Sequence, residues 1–244
     1  MRMIKGQKGL SLVEVTIMLL VLMLLTSVLA PSIFDFVHDA QWVKVKEDCE
    51  AIGISVTRLV RDVGPCLKTT GTSGSIPTCT VGNRVDVIVS DGNLPAYNGL
   101  GAGTFTSSAM ATTNWNTAPA GNWDTMENQL VTNAPGYTTP LLHVTGYYPV
   151  GPQFNLGWRG AYLAPPIGPD PWGTRYMVNT GFLATANNAS GTDEGSSSRW
   201  WESDVFCISA GPNQTIETGF HSGANFGTIR QADDFVFVIQ GSSR

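Results

Sequence analysis

The sequence predicts an α+β fold, in which one long N-terminal helix packs on a C-terminal antiparallel β-sheet with long loops. Two observations predict the helix: residues 10–33 are mostly apolar, and residues 42–63 repeat apolar side chains at helical spacing. A third predicts the sheet, because the chain after residue 64 is rich in glycine, proline, asparagine, threonine and serine. Such a composition is typical of short strands separated by turns.

The apolar run is long enough to cross a bilayer as a helix, which takes about 20 residues. A basic leader, residues 1–9 with Arg2, Lys5 and Lys8, precedes it. Within the run Glu14 is unexpected, because a carboxylate in hydrocarbon costs on the order of 3 kcal/mol and normally has a partner. A membrane anchor alone would not require this residue.

Two simpler interpretations explain part of the pattern. A secretory signal peptide cleaved after Ala30 would explain the basic leader, but its apolar region would be too long and would contain Glu14. An ordinary single-span anchor would explain the length and the basic flank, since positive charge stays cytoplasmic. The anchor leaves Gly9 and Glu14 without a role.

Residues Lys8–Glu14, which read Lys-Gly-Leu-Ser-Leu-Val-Glu, resemble the processing site of the type IV pilin and type II secretion pseudopilin superfamily. The resemblance implies that a prepilin peptidase cleaves between Gly9 and Leu10 and methylates the new N-terminus at Leu10. Phenylalanine is commoner than leucine at that position in the family. Pro31 stands where many of these subunits carry a helix-kinking proline, and it should bend the helix or melt a turn.

The same resemblance gives Glu14 a role in filament assembly. If subunits stack with their apolar helices inside, each Glu14 meets the ammonium group of Leu10 on a neighbouring subunit in a charge-assisted hydrogen bond. An unpaired carboxylate in that core would be strongly penalised, so the correct register is selected. The implied partners are other copies of this chain, the prepilin peptidase, an inner-membrane assembly platform with its ATPase, and minor pilins.

After the transmembrane and filament-core segment, residues 10–33, the helix is predicted to continue over residues 34–64. Its apolar positions recur at steps of three and four, which forms one stripe suited to packing against a domain. Gly64-Pro65 should end the helix, since proline cannot continue the hydrogen-bond ladder. The stripe consists of Trp42, Val45, Cys49, Ile52, Val56, Leu59 and Val63.

The globular domain is predicted to occupy residues 65–244. Within it, residues 94–140 are predicted to be an insertion with little regular structure. Apolar alternation bounded by turn residues predicts strands at residues 84–90, 141–144, 175–178, 204–209 and 235–239.

Two later segments resemble the major pseudopilin, the G-type subunit, of type II secretion. They are Trp158–Leu163, and Asp170–Gly173 (Asp-Pro-Trp-Gly) followed by Tyr176. Asp-Pro-Trp-Gly is by itself a strong turn, because proline presets φ and glycine closes it. The resemblance implies a pilin-like fold for the whole chain.

Resemblance to the same subunits also implies a calcium-binding loop. Residues 209–213 and Ala232–Asp234 match the segments that bound the loop in that family, with Asn213 where aspartate is usual. The alternative is that the two aspartates only cap a turn, because calcium takes about six to eight oxygens. The implied ligands are Asp233, Asp234, Asn213, Glu217 and Ser209, the last through its backbone.

The chain has four cysteines, without a Cys-x-x-Cys pair and without a histidine spaced for zinc. Outside the cytoplasm disulfides are permitted. The favoured pairing joins Cys66 to Cys79 across a Gly/Ser/Thr-rich segment, and Cys49 with Cys207 would then tie the helix to the sheet. The alternative is four buried free thiols, since free cysteine is often a small core residue.

Composition argues against several classes of function. Only 14% of residues are charged and the net charge is −5, so no basic surface for nucleic acid is expected. No enzyme activity is expected either, because none of His38, His143 and His221 lies in a catalytic or metal-binding pattern.

The sequence therefore predicts a structural subunit of a helical type IV pilus or type II secretion pseudopilus. It would wait as a single-pass protein in the bacterial inner membrane and then enter a periplasmic or cell-surface filament. The alternative is a minor or tip subunit that acts as a membrane-tethered adhesin or binding module through residues 94–140.

Overall fold

The computed structural model describes residues 11–64, 87–97, 123–134, 157–183, 204–219 and 232–240, together with Leu67, Val85, Trp115 and Tyr148. The strand predicted at residues 141–144 lies outside these residues. The chain divides into two compact units, Met1–Lys44 and Val45–Arg244. One helix, α1 (Leu12–Val63), contributes residues to both.

The first part of α1 is apolar and exposed. Its large apolar side chains between Leu12 and Val37 are 40–81% exposed. By length and composition this helix is long and apolar enough to cross a membrane. α1 runs through Pro31 without interruption, so the predicted melted turn is wrong, and the alternative prediction of a bend stays a prediction. A proline removes one backbone hydrogen bond, and the bonds of the flanking turns keep the helix continuous.

The second part of α1 is buried along one side. Val45, Cys49, Ile52, Val56 and Leu59 are all buried, which confirms the predicted stripe. The helix ends at Val63 as predicted. Gly64 then adopts a φ of +96° and donates its N–H to the Val60 carbonyl at 2.8 Å, a left-handed ending that glycine adopts without a steric penalty.

The described part of the domain contains seven strands. Five of them form one sheet in the order β3-β1-β4-β5-β7, and β2 pairs with β6 separately. The strands predicted at residues 84–90, 175–178, 204–209 and 235–239 are found as β1, β4, β5 and β7. The strands are β1 (Val87–Val89), β2 (Ala96–Tyr97), β3 (Trp123–Thr125), β4 (Met177–Val178), β5 (Val205–Ser209), β6 (Thr215–Ile216) and β7 (Phe235–Gln240).

The prediction of an antiparallel sheet is wrong at one edge. β1 with β4, β4 with β5, and β5 with β7 are antiparallel, whereas β1 and β3 are parallel. Parallel neighbours need a long connection, and the chain between Val89 and Trp123 provides one. The sheet is therefore mixed.

The prediction of little regular structure at residues 94–140 is also wrong for the residues that the structure describes there. This segment contributes β2, β3 and a π-helix, Glu127–Thr132. Met126 and Leu130 are buried in the domain core and anchor the π-helix there. Apolar core residues four positions apart thus hold this turn, although the composition around it is typical of loops.

Strand β5 is buried on both faces. Cys207 lies against Cys49 of α1, and Phe206, the preceding residue, points to the opposite face. There the Trp115 ring packs edge-on against Phe206, with centroids 5.6 Å apart. The Trp115 indole N–H donates to the Thr218 carbonyl at 2.9 Å. The sheet is thus enclosed between α1 and part of the insertion.

Helix α1 approaches β7 closely at Gly53. A Cβ atom at this position would lie 2.7 Å from a ring carbon of Phe237 and 3.2 Å from Ile239. The constraint is steric, because it concerns the space beside the helix rather than the backbone conformation of Gly53.

We expect Gly53→Val to lower the free energy of unfolding by about 2 kcal/mol, because overpacking a core typically costs about 1–3 kcal/mol. Gly168→Val is the matched control, since nothing lies within 4 Å of a Cβ at Gly168. The measurement is urea unfolding of the detergent-solubilised protein, followed by tryptophan fluorescence. Equal unfolding midpoints for the two variants would contradict the close helix–sheet approach.

Candidate functional site

The hydroxyl groups of two threonines in the apolar part of α1 form hydrogen bonds with the backbone of their own helix. Thr16 donates to the Val13 carbonyl and Thr26 to the Leu22 carbonyl, each at 2.8 Å. Glu14 in the first turn is exposed and makes no hydrogen bond or ion pair within the described part of the chain. The described residues therefore offer no partner for its carboxylate.

Of the other residues predicted to act in processing and assembly, only Pro31 lies among the described residues. Gly9 and Leu10, the predicted cleavage pair, lie outside the described residues. Pro31 occupies an exposed position inside α1. The structure therefore places Glu14 and Pro31 on one exposed apolar helix.

Tyr176 joins the sheet to α1. Its hydroxyl donates to Asp48 Oδ2 at 2.8 Å, and its N–H donates to Ser90 Oγ at 3.0 Å. Burial raises the pKa of Tyr176 well above its usual value, and the hydrogen bond to Asp48 adds to the effect. The tyrosine is therefore a neutral donor at any physiological pH.

The Asp-Pro-Trp-Gly turn is organised by the Asp170 carboxylate. Asp170 is only 3% exposed, and it accepts hydrogen bonds from Trp172 N, Thr174 N and Thr174 Oγ1. Ser209 Oγ of β5 donates to the same carboxylate at 2.7 Å. Gly173 has a φ of +90° and donates to the Asp170 carbonyl at 2.9 Å. The sequence predicts the turn, but not its attachment to β5.

The segment Trp158–Leu163 lies along α1. Ser55 Oγ donates to the Tyr162 carbonyl at 2.9 Å, and the Tyr162 hydroxyl donates to Asp62 Oδ2 at 3.0 Å. The Arg159 N–H donates to that hydroxyl at 3.0 Å. Burial is the main reason that the pKa of Tyr162 is raised. Both segments that resemble the major pseudopilin thus bond to the second half of α1.

The predicted calcium ligands, apart from Ser209, lie in one loop cluster held by its own hydrogen bonds. Asn213 N–H donates to Asp233 Oδ2 at 3.0 Å, and the Asn213 amide donates to Glu217 Oε1 at 2.8 Å. The N–H groups of Glu217 and Thr218 donate to Asp234 Oδ2 at 3.0 and 2.7 Å. The hydroxyl of Ser209 donates to Asp170, and the predicted role of its backbone carbonyl stays a prediction.

Two carboxylate oxygens of this cluster are buried without a partner among the described residues, namely Asp234 Oδ1 and Glu217 Oε2. Burial raises the pKa of Asp234 to about 6, against the opposing hydrogen bonds from Thr218 and Glu217. A cation bound at either orphaned oxygen would satisfy it, and in this respect the residues fit calcium. The described residues contain no group of three or more acidic, histidine or cysteine side chains arranged for a metal, so other ligands would be backbone oxygens and water.

The predicted pair Cys49 and Cys207 is brought together. Both side chains are buried as free thiols, and their sulfur atoms are 3.2 Å apart. Cys66 and Cys79 lie outside the described residues, so their pairing stays a prediction.

A buried polar network near β3 is absent from the sequence-based prediction. Gln129 and Asn128 donate to the two oxygens of Asp124 at 2.6 and 2.7 Å. The Tyr148 hydroxyl donates to Gln129, and Asn133 bonds twice to the Tyr148 backbone. Asp124, Asn128 and Gln129 are spaced as residues on one face of a helix, but polar residues of these types are also typical of loops. Every group has a hydrogen-bond partner, so the network is structural.

We expect Asp234 to make the stability of calcium-free protein fall as pH rises from about 4 to about 6. In this range the folded protein keeps a proton that the unfolded chain has lost, because the folded pKa of about 6 exceeds the usual value. Asp234→Asn should remove this fall, which amounts to at most about 3 kcal/mol at about 1.4 kcal/mol per pKa unit. The measurement is the urea midpoint against pH.

Asp91→Asn, which removes an exposed carboxylate, controls for the loss of one negative charge and should keep the wild-type pH dependence. If the urea midpoints of wild type and Asp234→Asn changed with pH in the same way, burial of Asp234 would not lower stability as the pH rises.

Comparison of the chain with protein-family models, with curated proteins and with solved structures finds no match.

Proposed function

We propose that this protein is a structural subunit of a helical filament of the type IV pilus or type II secretion pseudopilus kind. The observation that carries the proposal is the division of α1. The large apolar side chains from Leu12 to Val37 are exposed, whereas the stripe from Val45 to Leu59 is buried in the core of a sheet domain. One part of the helix therefore packs within its own domain, and the other part is left to pack against lipid or other molecules.

The exposed part of α1 carries large apolar side chains all along its length, so it requires a cover of lipid or of other helices. Lipid alone would leave the Glu14 carboxylate unpaired, at a cost on the order of 3 kcal/mol. A bundle of identical helices supplies a partner, because each processed chain brings its own N-terminal ammonium group into the bundle. Glu14 favours the bundle over a simple anchor.

The proposal includes the processing that frees this ammonium group. A prepilin peptidase would cut between Gly9 and Leu10 and methylate Leu10, and an inner-membrane platform with its ATPase would insert the subunit into the filament. Before assembly the chain would wait in the inner membrane of a bacterium. The apolar helix α1 is long enough for that state.

The contacts of the domain with α1 also support the proposal. Tyr176 follows the Asp-Pro-Trp-Gly turn and bonds to Asp48, and Tyr162 bonds to Asp62. Both tyrosines belong to segments that resemble the major pseudopilin. The residues that carry the resemblance are therefore the residues that hold the helix on the sheet.

We expect Glu14→Leu to leave the protein in the membrane fraction but to reduce filament yield by more than about tenfold, since removing one partner of a buried ion pair costs about 3–5 kcal/mol. Thr26→Val is the matched control, because it also removes a polar group from the same helix and should assemble normally. Sheared filaments are quantified by immunoblot and viewed by electron microscopy. Wild-type yield from Glu14→Leu would refute the proposal.

The same micrographs distinguish a major from a minor subunit. Antibody label along the whole filament supports a main structural subunit. Label confined to filament ends would instead support the tip or adhesin role.

We further propose that the loop formed by Asn213, Glu217, Asp233 and Asp234 binds a calcium ion. The support is the pair of buried, unpartnered oxygens, Asp234 Oδ1 and Glu217 Oε2. An ion there would offset the desolvation of Asp234 and hold the β6 end of the loop against the start of β7. The ion would be structural, because it would join two segments that are distant in the chain.

We expect millimolar calcium to raise the thermal midpoint of the detergent-solubilised protein by several degrees, because an ion that binds only the folded state stabilises it by mass action. Equal magnesium should have a smaller effect, since magnesium dehydrates reluctantly. Asp234→Asn should abolish the calcium shift, and Asp91→Asn should retain it. The absence of a shift in wild-type protein would remove calcium from the proposal.

A further inference from the structure

Two cysteines face each other where α1 packs against strand β5 of the sheet. Cys49 on the helix and Cys207 on β5 are both fully buried, and their sulfur atoms are 3.2 Å apart. They are separated by 158 positions in the chain. Neither thiol is bonded to another cysteine in the described part of the protein.

Burial of one cysteine would carry no information, because free cysteine is commonly a small core residue. Direct contact between two cysteines from distant parts of the chain is a different observation. A disulfide requires sulfur atoms about 2.05 Å apart with closely spaced Cβ atoms. The two thiols therefore have to approach by only about 1 Å, a distance within reach of small rotations of both side chains.

The surroundings hold both cysteines in this position. On the helix side, Asp48 next to Cys49 is bonded to Tyr176, and Gly53 one turn later lies against Phe237. On the sheet side, Cys207 pairs with Val178 of β4 and with Phe237 of β7. Cys207 thus sits in an interior strand whose neighbours fix its direction.

We propose that Cys49 and Cys207 are a modification site, at which an oxidised dithiol oxidoreductase outside the cytoplasm introduces a disulfide between α1 and β5. A cysteine thiolate attacks the disulfide of the oxidoreductase and forms a mixed disulfide. The second thiolate displaces the oxidoreductase, which leaves as a dithiol with the two electrons and two protons. This inference rests on the proposed function only in placing the domain outside the cytoplasm.

The burial of the pair determines when the reaction takes place. The attacking species is the thiolate, and burial raises the pKa of the Cys49 thiol well above its usual value. In the closed core the Cys49 thiol keeps its proton, and both buried side chains are inaccessible to another protein. Oxidation therefore precedes docking of β5 on α1, and the finished bond is protected from reductants until the protein unfolds.

The bond would close a loop that includes most of the domain, and closing a long loop removes conformational entropy from the unfolded chain. It would also keep α1 attached to the sheet when the helix is pulled out of the membrane during assembly. The pair is thus a covalent clamp between the two parts of the proposed subunit.

The test counts free thiols in the full-length protein with Cys66→Ser and Cys79→Ser, which leaves only the proposed pair. Cells are precipitated in acid, and the denatured protein is labelled with a maleimide polymer before and after reduction. We expect no label before reduction and two labels after it. Adding Cys207→Ser should give one label before reduction, which shows that Cys49 is reactive once unpaired.

A second measurement uses the unaltered sequence and so does not depend on the folding of a variant. Peptide mass spectrometry without reduction should find the peptide containing Cys49 linked to the peptide containing Cys207. Two labels before reduction, or Cys49 linked to Cys66 or Cys79, would overturn the inference. Filament formation is scored on the same cells. If filaments form but the Cys49–Cys207 disulfide is absent, only the inference about the disulfide is contradicted. If the disulfide is present but no filaments form, only the proposed function is contradicted.

Discussion

The structure depends on the packing of the second half of α1 against the sheet. The stripe from Val45 to Leu59 supplies one side of the hydrophobic core, and Gly53 lets β7 approach the helix backbone. Polar groups beside the stripe, Asp48, Ser55 and Asp62, bond to residues of the domain. The helix therefore determines both where the sheet lies and which loops can reach it.

The first half of the same helix has a different distribution of apolar side chains. No stripe separates its apolar from its polar side, and its threonine hydroxyls bond to carbonyl groups of their own helix. Such a segment fits surroundings that are apolar on every side, either lipid or other helices. Glu14 is a charged exception near its start, and under our proposal the pairing of this carboxylate would turn a general membrane segment into a specific contact between molecules.

Local patterns of sequence predict much of this architecture. The period of the α1 stripe, the ending at Gly64, and strands β1, β4, β5 and β7 all follow from neighbouring residues. The parallel addition of β3 does not, because it depends on the path of a long connection. The bond from Ser209 to Asp170 and the network around Asp124 likewise join residues that no periodicity relates. The Cys49–Cys207 contact was predicted only by elimination, and its oxidation state lies beyond what spacing can indicate.

The central claim is that α1 assembles through its apolar half, with Glu14 paired to the N-terminus of a neighbouring copy. The most direct measurement is electron cryo-microscopy of the purified filament at a resolution that separates side chains. We predict a core of bundled α1 helices in which each Glu14 carboxylate lies within hydrogen-bond distance of the amine of Leu10 on another subunit. A filament with α1 outside its core, or with Glu14 facing solvent, would contradict the claim.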